Sequence, residues 1–226
     1  MAWRAPAVLL ALAACAAPAA QVEPGKALAG RPRQDFVAPA AGTYRLPPIQ
    51  PAADGWVLDG SWVPRRLSRY THGALTLLSF VYTYCTDPAG CPLAYETFVY
   101  LREGIRADPL LKGRVRLVSL SFDPTNDTPA QMLLYGGGPA RDRDVPWSFL
   151  TTYSVRFLKP ILDGFGQDVE VELDADGHPT RTLTHLLKVF LIDERGRVRE
   201  IYSAAFLQPA VMLNDLRTLA LESPPR

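Results

Sequence analysis

Two cysteines six positions apart are the residues best suited to chemistry in this sequence. Cys85 follows an apolar and aromatic run at 75–84, and Cys91 is followed at once by Pro92. Proline starts helices readily, because its missing N–H is not needed in the first turn. A thiol near a helix N-terminus is stabilised as thiolate by unpaired N–H groups and by the helix dipole. Thiolate is the form that binds metal or attacks a disulfide, so the position of this pair favours chemistry.

The cysteine pair alone leaves three kinds of site open. Two soft thiolates favour Cu(I), and an imidazole as third ligand also suits Cu(II). The same thiols can instead cycle between dithiol and disulfide, as in a thiol–disulfide oxidoreductase. The third interpretation is a plain disulfide in a non-catalytic envelope protein. Closing so short a loop would stabilise the fold by only about 2 kcal/mol, which a domain of this size does not need.

Of the three histidines, His185 is the best placed to join the thiols. It immediately precedes an apolar strand predicted at 186–192, whereas His72 and His178 lie in polar surroundings. A lone histidine beside an apolar strand is more often a structural residue than a ligand. The assignment of His185 therefore depends on the residues around it.

Buried strands that alternate with helices must position these side chains. Apolar runs predict strands at 75–84 and 115–122, and alternation predicts a strand at 169–173. A hairpin is expected from 186–192 and 198–202, which flank a polar turn at 193–197. Four helices are predicted. The first covers 92–106, and the second runs from a cap at Asp127 or Thr128 to the glycines at 136–138. The third covers 155–165 and the fourth covers 208–222. Pro160 should kink or divide the third helix. The fold class is α/β, compatible with a thioredoxin-like domain whose central mixed sheet is flanked by helices.

The N-terminus reads as a targeting segment. One positive charge precedes an apolar run at 5–14, which is too short to span a bilayer as a mature helix and is typical of an export signal. The run ends in LAAC and resembles a bacterial lipobox, in which Cys15 would be lipidated. Ordinary cleavage within the Ala-rich stretch that follows is the alternative, and Cys15 would then leave with the signal. Both interpretations predict export to the periplasmic side of a bacterial cell envelope, and the lipobox adds a lipid anchor in a membrane.

Composition divides the chain into three parts and excludes one class of partner. We expect an export signal at 1–15, a Pro- and Ala-rich tether at 16–54 and one domain at 55–226. The formal net charge is +1, and Lys and Arg are scattered among Asp and Glu. Nucleic-acid binding would require a clustered basic face, so no nucleic-acid partner is expected. A monomer is the default expectation.

Four sequence blocks in series resemble the Sco (SenC) family of copper chaperones. The first is FVYTYC at 80–85 with CPL at 91–93, which resembles the metal-binding segment of that family. The second is SFDP at 121–124 with DTP at 127–129, and the third is WSFLT at 147–151. The fourth is LID at 191–193 with Gly196, eight positions after His185, which matches the block that carries the histidine ligand of the family. The similarity covers roughly residues 44–222.

The resemblance implies a thioredoxin-like fold and one copper ion per chain, as Cu(I) or Cu(II), bound by Cys85, Cys91 and His185. It places Asp123 beside the site, as a residue that orients a ligand or affects the thiol pKa values, although a plain capping role suits this aspartate equally well. It also implies a chaperone that delivers copper to a respiratory enzyme such as cytochrome oxidase, or prepares the thiols of that enzyme, by ligand exchange without enzymatic turnover.

The alternative function is a thiol–disulfide oxidoreductase, with Cys85 and Cys91 as the redox-active pair. Thioredoxin-like oxidoreductases carry a proline just before the strand beside the active site, and this chain has Thr184 and His185 there. That difference favours a metal site.

The spacing of the cysteines departs from the family pattern. The family usually places three residues between its cysteines, and this chain has five, at 86–90. Pro88 and Gly90 favour a turn that brings the chain back, so the two sulfurs should still meet. We expect the longer spacer to change the ligand angles and the affinity. Asp87 is either an additional oxygen donor or, as we favour, a turn residue.

Overall fold

A computed structural model of the protein describes residues 37–223. The strands are β1 (Gln50–Pro51), β2 (Trp56–Leu58), β3 (Pro64–Arg66), β4 (Leu75–Val81), β5 (Val115–Ser121), β6 (Trp147–Leu150), β7 (Val169–Leu173), β8 (Pro179–His185), β9 (Lys188–Ile192) and β10 (Arg197–Ser203). The helices are α1 (Ser68–Thr71), α2 (Cys91–Ala107), α3 (Pro129–Gly136), α4 (Val155–Phe165) and α5 (Pro209–Glu222). Cys15 and the predicted export signal lie outside the described residues.

A six-stranded mixed sheet forms the centre of the domain, in the order β1-β10-β9-β4-β5-β6. Strands β4, β5 and β6 run parallel, and α2 and α3 make the connections between them. Strand β9 lies antiparallel to β4, and β10 lies antiparallel to β9. Helices α2 and α5 contact each other and also β4. The predicted α/β class, with a central mixed sheet flanked by helices, is confirmed.

The core is apolar on both sides of β4, as its sequence LTLLSFV predicts. Every residue of β4 is buried, which is typical of a strand covered on both faces. The rings of Phe80, Phe165 and Phe190 pack together with centroid separations of 4.9–6.0 Å. The two buried serines at the centre of the sheet are satisfied, because Ser79 and Ser119 share a hydrogen bond of 3.2 Å. These contacts form a well-packed sheet from which the loops at the carboxyl ends of β4 and β5 extend.

Packing against the domain begins earlier than the predicted boundary at residue 55. Leu46 is buried, and its carbonyl accepts a hydrogen bond from the Arg199 side chain. The Tyr44 hydroxyl donates to Asp215, and β1 pairs with the start of β10. The part of the predicted tether at 44–54 is therefore ordered against the sheet and α5. Its prolines suit this edge position, because proline has no N–H to donate to a neighbouring strand and is tolerated at the edge of a sheet.

The N-terminal cap of α3 and the proline inside α4 are both addressed by the sequence prediction. Thr128, and not Asp127, caps α3, because its side chain accepts a hydrogen bond from the Gln131 N–H. Helix α4 is 11 residues long with Pro160 inside it, so of the two predicted outcomes, a kink or a division, division is wrong. Proline removes the N–H that would bond the carbonyl of Arg156, and Arg156 is exposed to water.

Three strands are not predicted by the sequence patterns. Strand β1 lies in the predicted tether, β6 is identified only as a family block, and no pattern marks β8. Strand β8 pairs with β7 in a separate two-stranded sheet that ends at His185. Within residues 37–223, none of the helices has the length and apolar character needed to cross a membrane.

Candidate metal centre

The cysteine loop starts where β4 ends and finishes on the first residue of α2. The Cys85 N–H donates to the Tyr82 carbonyl in a turn, with 3.3 Å between nitrogen and oxygen. Asp87 closes a second turn, since its carbonyl accepts from the Gly90 N–H and its carboxylate accepts from the Ala89 N–H. Asp87 is thus a turn residue in this structure. These two turns absorb the five-residue spacer and bring Cys85 back against Cys91.

Cys85 is the thiolate of the pair. A hydrogen bond from the Cys91 thiol, followed by backbone N–H groups of Cys91 and Asp87 and the Tyr82 hydroxyl, lowers the pKa of Cys85 to about 5 despite its partial burial. The same hydrogen bond and the burial of Cys91 raise the pKa of that second thiol. At neutral pH the pair of cysteines therefore carries one thiol proton in total, and that proton is on Cys91. Both cysteines are free of disulfide bonding.

His185 presents one ring nitrogen to the sulfurs. Its Nδ1 lies 3.0 Å from the Leu183 carbonyl oxygen, and a carbonyl can only accept. The proton of the neutral ring is accordingly on Nδ1, and the lone pair on Nε2 is free. Nε2 lies 4.0 Å from Cys91 Sγ. A carbonyl that fixes the tautomer in this way is the usual support of a histidine that binds metal through its other nitrogen.

Two aromatic rings hold the imidazole in place. The centroid of the Phe122 ring is 4.5 Å from that of His185, and the centroid of Tyr82 is 6.0 Å from it in an edge arrangement. Tyr82 and Phe122 are both nearly fully buried. Burial and then the charge of Cys85 raise the pKa of Tyr82 to about 12, so its hydroxyl keeps its proton at neutral pH. The Tyr82 and Phe122 rings keep water from one side of the site and limit rotation of the His185 ring.

The other two histidines lie away from the sulfurs. The His72 ring covers Gly196 in the β9–β10 turn, and its Nδ1 is 3.3 Å from the Thr71 hydroxyl. His178 is exposed at the tip of the β7–β8 hairpin beside Asp174. Among the histidines, His185 alone is close to Cys91.

A buried carboxylate ties the cysteine loop to the sheet. Asp127 Oδ2 accepts hydrogen bonds from the Thr83 N–H (3.1 Å) and the Ser121 hydroxyl (2.6 Å), and Oδ1 accepts from the Thr83 hydroxyl (2.5 Å). Burial raises the pKa of Asp127. The Asp123 carboxylate accepts instead from the Asn126 amide. The predicted role of Asp123 beside the metal stays a prediction, whereas Asp127 is an anchor that the sequence interpretation missed.

A buried glutamine supports the chain next to His185. Gln167 follows α4, and its amide nitrogen donates to the Leu186 carbonyl at 3.1 Å. It also lies 3.2 Å from the Asp168 carbonyl. These bonds hold the junction between β8 and β9, where His185 ends one strand and Leu187 turns back into the core. No pattern in the sequence marks this residue, because a single glutamine after a helix is common.

The Cys91 sulfur lies next to both of the other predicted ligands: its thiol donates a hydrogen bond to Cys85, and it is 4.0 Å from His185 Nε2. The three donor atoms are not all within 4.8 Å of one another, so they are neighbours in series at the carboxyl ends of β4 and β8 and the start of α2. Two sulfurs and one imidazole nitrogen form a donor set that suits copper in both oxidation states. The thiolate is equally suited to attack a disulfide.

The pKa of Cys85 leads to a measurable reactivity. We expect alkylation of Cys85 by iodoacetamide to reach half of its plateau rate near pH 5, where half of the thiol is ionised. At pH 6.5 an ordinary thiol would react at about one-hundredth of its plateau. Peptide mass spectrometry after timed quenching separates Cys85 from Cys91, which should stay unreacted because it is buried.

The unfolded chain in urea serves as the control for this reactivity, because the same thiols then have ordinary pKa values. A Cys85 midpoint that is the same in the folded and unfolded chains would contradict the prediction. The linkage has a definite sign. The low folded pKa of Cys85 stabilises the fold above pH 9, and this contribution is lost as the pH falls toward 5. The raised pKa of Cys91 acts in the opposite direction, because its contribution to stability is lost as the pH rises above 9.

Gly90 leaves room for the Cys85 sulfur. A methyl group at Gly90 would lie 3.2 Å from Cys85 Sγ and 3.3 Å from the Asp87 carbonyl. We expect Gly90→Ala to displace the sulfur from its N–H donors and to raise the pKa of Cys85 by about one unit, equivalent to about 1.4 kcal/mol. The alkylation profile measures this shift. Gly138→Ala is the matched control, because nothing lies within 4 Å of the added methyl group there. Equal profiles for both variants would show that the sulfur does not depend on this space.

The comparisons with known proteins agree with the geometry. The family model described as SCO1/SenC matches residues 65–221, well over half of the chain. No curated protein is similar enough to count as a relative. Among solved structures, a SCO1/SenC family lipoprotein from Bacillus anthracis superposes with a TM-score of 0.64 at 22% identity, over 78% of this chain and 99% of that one.

Two further solved structures are similar to the chain. A copper-bound ScoI from Bradyrhizobium japonicum superposes with a TM-score of 0.59 at 21% identity, over 74% of this chain and 98% of its own. The apo Sco1 protein from Thermus thermophilus superposes with a TM-score of 0.61 at 24% identity, over 80% of this chain and 98% of its own. At these identities the likeness establishes the fold, and the predicted thioredoxin-like architecture is confirmed.

Proposed function

The chain belongs to the SCO1/SenC family, and from this membership we propose that it is a copper-binding metallochaperone of the cell envelope. The observation that carries the proposal is that Cys91 lies beside both other donors. Its thiol donates a hydrogen bond to the Cys85 thiolate, and its sulfur is 4.0 Å from His185 Nε2. Copper is the cargo of this site. The copper-bound relative from Bradyrhizobium japonicum supports the choice of metal.

We propose that Cys85, Cys91 and His185 bind one copper ion per chain. The two thiolates hold Cu(I), and the imidazole adds the nitrogen ligand that Cu(II) prefers. Cys91 must lose its proton when copper binds, because its thiol pKa is raised. The affinity for copper should therefore rise with pH. Release to a partner proceeds by ligand exchange with cysteine or histidine donors of that partner, with no net oxidation or reduction.

The setting of this function is also a proposal. Cys15 would carry a lipid that anchors the chain at the periplasmic face of a membrane, the part of residues 16–54 that does not pack on the domain would form the connection, and the domain at 55–226 would carry copper. The Bacillus anthracis relative is a lipoprotein, which supports the anchor. The family resemblance of the sequence favours a respiratory copper enzyme such as cytochrome oxidase as the client of a monomeric chaperone.

A second candidate function is thiol–disulfide exchange on the same client or on another one. The low pKa of Cys85 favours it, because a thiolate beside a buried thiol can attack a disulfide and then be released by its neighbour. In that reaction Cys85 Sγ attacks the substrate disulfide, which forms a mixed disulfide and releases the first substrate thiolate. Cys91 then gives up its proton and attacks Cys85 Sγ, which releases the second substrate thiolate and leaves a Cys85–Cys91 disulfide in the protein and a dithiol in the substrate. The two functions are compatible, since reduced thiols are required before copper binds.

Titration of the reduced full chain with Cu(I) and with Cu(II) tests the proposal. The expected result is one equivalent of copper in each case and a sulfur-to-Cu(II) charge-transfer absorption band. An assay of disulfide reductase activity and the reduction potential of the Cys85–Cys91 pair are measured on the same sample. Absence of stable copper binding, together with a readily cycling disulfide, would replace the chaperone with the oxidoreductase.

A further inference from the structure

An exposed cation–π pair joins the two segments that carry the candidate ligands. Tyr84 immediately precedes Cys85, and Arg181 lies four residues before His185 in strand β8. The guanidinium carbon of Arg181 is 4.2 Å from the centroid of the Tyr84 ring. Tyr84 is 54% exposed and Arg181 is also exposed, so neither side chain belongs to the core. The contact therefore has little part in folding the sheet, and its position beside the sulfurs calls for another explanation.

The geometry of β8 places this contact on the face that carries His185. Side chains alternate along a strand, so Arg181, Leu183 and His185 point to the same side of the hairpin. Leu183 packs against the core on that side, and Nε2 of His185 reaches Cys91. The stack of Arg181 on Tyr84 is thus the third contact along this face of β8, after those of His185 and Leu183, and it is the one farthest from the metal centre. It attaches the middle of β8 to the cysteine loop.

The hairpin needs such an attachment. Strands β7 and β8 pair only with each other within residues 37–223, and most of their side chains are exposed. An isolated two-stranded hairpin is marginally stable in water. The Gln167 amide fixes the end of β8 beyond His185, through the Leu186 carbonyl. On the side of His185 toward the hairpin tip, Leu183 packs against the core and its N–H bonds the Tyr82 side chain, and the stack adds a contact with the cysteine loop farther out along β8.

We propose that Arg181 is a positioning residue for His185, which acts through Tyr84 by holding the hairpin against the cysteine loop. The inference rests on the proposed function, since it assigns Arg181 to the copper site. Without the stack, β8 can move away from the loop, and Nε2 spends less time near the Cys91 sulfur. Binding of Cu(II), which requires the imidazole, then weakens. Binding of Cu(I), which the two thiolates hold, changes little.

The variants Arg181→Met, Tyr84→Leu and the double variant test the pair in the reduced full chain. Arg181→Lys keeps a cation over the ring and is the conservative rescue. Arg195→Met is the matched control, an exposed arginine in the β9–β10 turn. The first measurements are hydrogen exchange of the β8 amides and the ring nitrogen shifts of His185, both without metal. The dissociation constants for Cu(II) and Cu(I) and the position of the sulfur-to-Cu(II) band follow.

We expect each single variant to speed exchange in β8 and to weaken Cu(II) by about two- to fivefold, the range of exposed cation–π pairs. Cu(I) affinity should change by less than about twofold, and the double variant should match the singles because the two residues act as one unit. Arg181→Lys should recover most of the Cu(II) affinity and the parent band.

Three results would overturn the proposal. These are an Arg181→Met protein that behaves like Arg195→Met, losses that add in the double variant, and equal weakening of Cu(I) and Cu(II). Failure of the proposed function is distinguishable, because the parent itself would then bind no copper. Hydrogen exchange and the His185 ring shifts would still decide in that case whether the stack holds the histidine beside Cys91.

Discussion

Replacing Cys85 with serine is expected to lower the affinity of the reduced protein for Cu(I) by at least about a thousandfold, equivalent to about 4 kcal/mol. Cys85 is the ionised sulfur of the pair, and its thiolate needs no further deprotonation before it binds metal. A serine hydroxyl is a hard and protonated donor that Cu(I) does not favour. Competition with a chromophoric Cu(I) chelator measures the change.

His185→Ala should affect the two oxidation states differently. It leaves both sulfurs in place, so we expect Cu(I) to weaken by about tenfold or less, whereas the Cu(II) charge-transfer band should shift or vanish. His72→Ala and His178→Ala are matched controls, since both histidines lie away from the sulfurs. A His185→Ala protein that binds Cu(I) and Cu(II) like the parent would remove the histidine from the site. Loss of Cu(II) binding in a control variant would show that histidine substitutions act through general destabilisation.

Local patterns explain why much of the fold could be predicted. The apolar run at 75–84 is typical of a strand buried on both faces, and β4 is buried at every residue. Pro92 and Pro129 mark helix starts, and α2 and α3 begin within one residue of these positions. Because a cysteine between such a strand and such a helix must lie at their corner, the placement of Cys85 and Cys91 also followed from local signals.

Long-range contacts explain what the sequence did not reveal. Strand β8 is rich in threonine and mostly exposed, so no apolar alternation marks it, and only its pairing with β7 makes it a strand. The segment at 44–54 has the composition of a tether, yet Tyr44 and Leu46 find partners in Asp215 and Arg199, more than 150 residues away. Such partners depend on the finished topology. Intrinsic preferences of a few residues cannot supply them.

The five-residue spacer shows how local chemistry absorbs a departure from the family pattern. Asp87 uses its carbonyl and its carboxylate to close a turn within the spacer, so the extra residues are directed outward, and residues 86–89 are exposed. The sulfur of Cys85 still reaches the Cys91 N–H at the start of α2. The insertion thus changes the solvent-exposed rim of the site more than its donors. We expect it to affect which partners can approach.

Asp127 is the residue outside the donor set whose loss should cost most. Asp127→Ala removes the acceptor of three hydrogen bonds and leaves the Thr83 N–H and the buried Ser121 hydroxyl unsatisfied. Each unsatisfied buried donor costs about 1–3 kcal/mol, so we expect the free energy of unfolding to fall by about 4 kcal/mol. Urea unfolding of the full chain measures it. Because Thr83 lies two residues before Cys85, the alkylation midpoint of Cys85 should also rise.

Asp127→Asn separates the hydrogen bonds of Asp127 from its charge. The asparagine oxygen can accept from the Thr83 N–H and the Ser121 hydroxyl, and its amide can donate to the Thr83 hydroxyl, which reverses its own bond. We therefore expect a loss of about 1 kcal/mol or less. Burial raises the pKa of Asp127, so the parent should lose stability as the pH rises through the folded pKa, and the asparagine variant should not. Asp123→Asn, whose partner is the exposed Asn126, should change stability by less than about 0.5 kcal/mol. If Asp123→Asn and Asp127→Ala cost the same, the buried carboxylate is not the anchor of the cysteine loop.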